Sequence, residues 1–122
     1  MNTPSIHKSV TESDPDDLVP GLGLSDDTVE MIAAMLRVIG DPTRIRLMEI
    51  LNQEGGVTSG GLAARLGMSQ QAASKQLGVL HQAGVVSRRR EGAWVHYQLI
   101  DWTGWWLVEQ ISAALSAGDA SD

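Results

Sequence analysis

With 122 residues and no cysteine, the chain has room for one domain held by packing alone, and thiolate metal ligands, disulfides and cysteine nucleophiles are excluded. Residues 1–11 lack the apolar run of a secretory signal, and no stretch approaches the roughly eighteen apolar residues of a membrane span, so a cytoplasmic protein is expected. The net charge of −6 argues against a polyanionic partner only until it is divided: residues 1–36 hold one Lys against seven acids, whereas residues 55–100 hold Arg65, Lys75, Arg88, Arg89 and Arg90 against Glu91.

Residues 1–24 are rich in Ser, Thr, Asp, Pro and Gly without apolar periodicity and read as a disordered acidic tail. A domain is expected over 25–117, with a flexible end at 118–122. Ser25 is an N-cap signal, Asp26 and Asp27 complement the helix dipole behind it, and Val29, Ile32, Ala33, Leu36 and Ile39 follow at helical spacing up to Gly40. Asp41-Pro42-Thr43 opens a second helix over about 42–54, with Ile45, Leu47, Met48, Ile50 and Leu51 apolar and Gly55-Gly56 as its stop. Thr58 or Ser59 caps a short third helix carrying Leu62, Ala63 and Leu66. Gly67 turns the chain and Ser69 caps a fourth helix over about 70–82. Two short helices joined at a glycine turn make a helix-turn-helix.

After Gly84 the period becomes alternating. Residues 85–90 and 94–100, with a turn at Glu91-Gly92, read as a β-hairpin. A last helix from Trp102 to about Ala117 places Trp105, Val108, Ile111 and Leu115 on one face. The expected fold is therefore mainly α with a small β-hairpin, a winged helix-turn-helix.

In the fourth helix Ala73, Leu77 and Leu80 must face the core, which turns Gln70, Gln71, Ser74, Lys75 and Gly78 outward beside the capping Ser69. Glutamine pairs with adenine edges and Lys reaches guanine or phosphate, so this short polar face suits a major groove. Arg88, Arg89 and Arg90 on a strand leading into a turn repel one another and are hard to explain by stability, but they serve as phosphate clamps. By alternation Arg88 and Arg90 share one face and Arg89 takes the other. Which of the two faces meets DNA stays open at this point.

The stretches Arg37-Val38-Ile39-Gly40-Asp41-Pro42-Thr43-Arg44, Leu66-Gly67-Met68-Ser69-Gln70-Gln71-Ala72-Ala73-Ser74-Lys75-Gln76-Leu77, Gly84-Val85-Val86 and Arg89-Arg90-Glu91-Gly92 closely resemble the ArsR/SmtB family of bacterial repressors. That resemblance covers about half of the chain. It implies a homodimer, paired through the helices around Val29 and Trp105, that reads an inverted repeat in double-stranded operator DNA. Val29, Ile32, Leu36, Trp105, Val108, Ile111 and Leu115 are the expected interface. For the tryptophans, core packing and an apolar ligand pocket stay open beside it.

The metal sites that the resemblance implies are not matched. Residues 57–61 offer no thiolate, and of the acid and histidine positions on the last helix only Asp101 remains, the others falling on Thr103, Ala114 and Ala117. No metal and no cofactor is expected from these positions. An unconventional site using His7, His81 or His96 stays open, as do a partner protein and an apolar small molecule as effector. His81 otherwise reads as a helix end or phosphate contact and His96 as a solvated strand position. No Gly-flanked nucleophile, carboxylate pair or phosphate-cradling loop is present, so no enzyme is expected.

Overall fold

Side-chain caps start four helices at the residues expected from the sequence. Ser25 Oγ accepts from the Thr28 N–H (3.1 Å), Asp41 Oδ2 from Arg44 (3.1 Å), Thr58 Oγ1 from Gly61 (3.0 Å) and Ser69 Oγ from Ala72 (3.1 Å). The computed structural model describes residues 21–120. In it α1 spans Asp26–Ile39, α2 Pro42–Gln53, β1 Val57–Thr58, α3 Ser59–Leu66, α4 Gln70–Gln82, β2 Val86–Glu91, β3 Trp94–Leu99 and α5 Thr103–Ala120. Residues 1–20 of the tail expected over 1–24, with His7, lie outside the described residues.

Helices α3 and α4 end in the same way. Gly67 (φ +65°) and Gly84 (φ +77°) adopt the left-handed conformation, and the next residue's N–H reaches back into the helix, Met68 to Ala63 O (3.0 Å) and Val85 to Leu80 O (2.9 Å). These two stops fix where the helix-turn-helix closes and where the sheet begins.

The sheet has three strands in the order β1-β3-β2, all antiparallel. Strand β1 is an addition to the expected hairpin: Val57 pairs with Tyr97 and Thr58 with His96. Two residues are too few to display alternation, which is why the sequence does not reveal it. The hairpin turn is Gly92-Ala93, one residue later than expected, because Glu91 pairs with Trp94. Only Gly92 of the two has positive φ, as a type II′ turn requires. Helix α5 also runs past the expected end near Ala117, since Gly118 takes no left-handed conformation to stop it.

Leu47, Met48, Leu62, Leu77, Leu80, Val85 and Val86 are fully buried, drawn from α2, α3, α4, the residue before β2 and its first residue. Tyr97 and Leu99 of β3 close the same cluster. Helix α1 adds Met35, Val38 and Ile39 to this core, and α5 adds Trp105 and Leu107. The single apolar stripe read on α1 is thus divided. Ile39 is buried, but Val29, Ile32 and Leu36 are exposed. Helix α1 is apolar on two sides, and periodicity alone cannot choose which side its own core takes.

Candidate nucleic-acid interface

The buried side of α4 determines what its other side presents. Ala73, Leu77 and Leu80 are fully buried, so a helical period leaves Gln71 and Lys75 exposed at the centre of the opposite face. Ser74 and Gly78 are half-buried on its flank. Gln70 is exposed, but its amide Nε2 donates to Ser59 Oγ at 3.4 Å, which ties it to α3. Ser69 is exposed while its oxygen caps the helix. Gln82, which is exposed one turn beyond Gly78, is a face residue that the motif-centred reading missed.

Register divides the three arginines of the wing. Arg88 lies opposite Tyr97 and Arg90 opposite Val95, on the face that becomes core at Val86 and Leu99; Arg89 lies opposite His96 on the other face. All three are exposed. Arg89 is paired through Nη2 with Glu91 Oε1 at 3.1 Å, both well solvated. Among the described residues the ion pairs are Arg46–Glu49, Arg65–Glu54 and Arg89–Glu91, so Lys75, Arg88 and Arg90 carry charge that no acid of the fold neutralises. Trp94 at the wing tip is 65% exposed, an aromatic surface beside these cations.

A second residue that the sequence reading missed is Arg44. Its Nε donates to Val38 O (2.5 Å), its Nη2 to Arg37 O (3.1 Å) and its Nη1 to Gln76 Oε1 (2.8 Å). It closes the C-terminal end of α1 and reaches the flank of α4. The Asp41-Pro42-Thr43-Arg44 run was the only signal, and it reads as a helix start.

A helix-turn-helix domain model matches residues 39–89, the segment from the end of α1 to the wing. The biofilm growth-associated repressor of Agrobacterium fabrum is 36% identical over 86 residues, which cover 70% of this chain and 73% of that protein. The chain belongs to the ArsR/SmtB family of DNA-binding transcriptional regulators. The putative arsenical resistance operon repressor ArsR2 of Halobacterium salinarum is 38% identical over 80 residues, 65% of this chain and 66% of that one. Among solved structures, the AntR antimony-specific transcriptional repressor superposes with a TM-score of 0.73 at 25% identity, covering 88% of this chain and 96% of the other. The family consists of regulators rather than enzymes.

The metal chemistry implied by family resemblance does not fit these residues. Residues 57–61 form β1 and the start of α3, where Thr58 is spent on capping. On α5 the positions of interest are Thr103, Ala114 and Ala117, and the carboxylate Oδ1 of Asp101 accepts the Thr103 N–H at 3.0 Å. One carboxylate already engaged in starting a helix supplies no tetrahedral donor set. His96 is a half-buried strand position whose Nδ1 donates to Gly56 O at 2.9 Å in an exposed hydrogen bond that fastens β3 to the turn before β1. His81 is half-buried in the last turn of α4. Among the described residues, no three His, Asp or Glu side chains cluster as a metal site, and no helix is long and apolar enough to cross a membrane.

Proposed function

We propose that this chain represses transcription as a homodimer, each protomer docking α4 in a major groove through Gln71 and Lys75, with Ser69, Gln70 and Ser74 along the near flank. Arg88 and Arg90 of the wing clamp the adjoining backbone, and Arg89 contributes less because Glu91 holds it. The observation that carries this reading is the coincidence of an exposed polar helix face with Lys75, Arg88 and Arg90, which form no ion pair among the described residues, in a chain of net charge −6.

Apolar surface left over by the fold supports the dimer. Val29 and Leu36 of α1 are 49% and 46% exposed, and Ile111 and Leu115 of α5 are 51% and 67% exposed. Leu36, Val108, Ile111 and Leu115 line one apolar groove of about 420 Å³ between α1, α2 and α5. Apolar side chains gathered in this way suit burial against a second copy. Trp105 belongs to the protomer's own core, so within the expected interface it supports the groove from behind. Two recognition helices about 34 Å apart then read the two halves of an inverted repeat. Neither family-type metal site regulates the protein in this reading, and a partner protein or an apolar small molecule supplies the signal.

The deciding experiment is fluorescence anisotropy on the gene's own upstream DNA over a salt series, with the Gln71→Ala, Lys75→Ala double variant beside the parent. Tight, salt-dependent binding by the parent and loss of sequence preference in the variant are expected. A variant binding like the parent refutes the assigned face. Calorimetry with Zn, Ni and Co checks the regulation: stoichiometric binding that alters DNA affinity overturns the metal-independent reading.

A further inference from the structure

We propose that Arg44 is a positioning residue that sets the orientation of α4 relative to α1, and hence the spacing of the two reading heads; the proposal rests on α4 being the DNA-reading helix. The last carbonyls of α1 have no partner within the helix, and a cation is favoured at that end. The guanidinium of Arg44, in the first turn of α2, donates to two of them, Arg37 O and Val38 O, through Nη2 and Nε. Its planar fork then directs Nη1 away from α1 and onto Gln76 Oε1, 32 residues further along the chain. One side chain therefore joins three helices.

Gln76 occupies the flank of α4 between the buried Leu77 and the exposed Lys75. On the opposite flank Gln70 reaches Ser59 at the longer distance of 3.4 Å. The apolar seat of α4, Ala73, Leu77 and Leu80, holds the helix down without directional preference. Roll and slide of α4 are fixed by the polar contacts at its edges, and the shorter, charge-assisted one is Arg44 to Gln76. Helix α1 carries the exposed stripe of Val29, Ile32 and Leu36 beside its buried face. Any displacement of α1 at that stripe, which the proposed dimer buries against a second copy, is passed to α4 through Arg44.

The test compares the full chain with Arg44→Lys, Gln76→Leu and the double variant, by anisotropy on the upstream DNA over a salt series and by amide hydrogen exchange along α4 without DNA. Lysine keeps the charge and loses the fork; leucine removes the α4 arm while leaving both α1 carbonyls bonded. Each single variant is expected to weaken binding about tenfold. The double variant should bind no worse than Arg44→Lys, the non-additivity of two partners in one contact. The slope of log affinity against log salt should equal the parent's, because neither side chain touches phosphate. The α4 amides should exchange faster in both.

Additive losses, or a slope reduced by about 0.9 per site, mean direct DNA contact and overturn the proposal. So does undiminished binding by Gln76→Leu where Lys75→Ala is weakened. If Arg44→Lys proves too unstable to compare, Gln76→Leu carries the same test. Should the parent bind no DNA, the functional reading falls while the exchange measurement still decides: α4 protection unchanged in both variants refutes the positioning role.

Discussion

Replacing Arg88, Arg89 and Arg90 singly by alanine separates the two faces of the wing. Lys75, Arg88 and Arg90 have no acid partner in the described fold, so a dimer offers about six unneutralised cations to phosphate, which gives a slope of about −5 in log affinity against log salt. Between 50 and 200 mM salt the parent should then weaken about 10³-fold. Arg88→Ala or Arg90→Ala removes two contacts per dimer and should flatten the slope by about 1.8. Arg89 shares its charge with Glu91 at 3.1 Å on the opposite face, so Arg89→Ala should flatten it by less than half as much. Anisotropy titrations at four or more salt concentrations read these slopes directly. Equal flattening by Arg89→Ala and Arg88→Ala would refute the assignment of the Arg88/Arg90 face to DNA.

Three further outcomes test the scaffold behind that surface. A Cβ at Gly104 would lie 2.9 Å from Ile39 Cγ2 and 3.1 Å from Met48 Cε, so Gly104→Ala should cost about 1–3 kcal/mol in urea unfolding; an unchanged midpoint would mean that α5 does not seat so closely. Ser69→Ala removes the cap of α4 and should cost about 1 kcal/mol, read from the same unfolding curves. Leu115→Asp, at a position 67% exposed in the protomer, should leave helicity intact while sedimentation shifts from dimer to monomer; a parent that already sediments as a monomer sinks the dimer reading.

The helix caps show why so much of the fold was legible in the sequence. Ser25, Asp41, Thr58 and Ser69 act within three residues of themselves, and Gly67 and Gly84 stop helices through their own φ. Local signals of this kind need no knowledge of the tertiary structure. Features that depend on distant partners were not legible. Strand β1 exists because β3 is beside it, and Arg44 gains its role only when α4 comes within 2.8 Å. For the site itself, the buried triplet of α4 selected Gln71 and Lys75 correctly as exposed, but periodicity could not show that Gln70 is held by Ser59.

An acidic protein that binds DNA must keep its negative charge out of range of the contact. The acids of residues 1–36, including Asp26, Asp27 and Glu30 on α1, belong to segments other than α4 and the wing. At about 0.15 M salt the Debye length is near 8 Å, so cations touching phosphate act while acids farther away are screened. At about 0.01 M it approaches 30 Å, comparable to a small domain, and the net charge of −6 per protomer then opposes the approach of a polyanion. The log–log plot should therefore bend towards a plateau at low salt instead of rising along the line set by Lys75, Arg88 and Arg90. A line that stays straight to the lowest salt would mean that the acidic segments are neutralised in the complex, folded onto cations that this reading leaves for DNA.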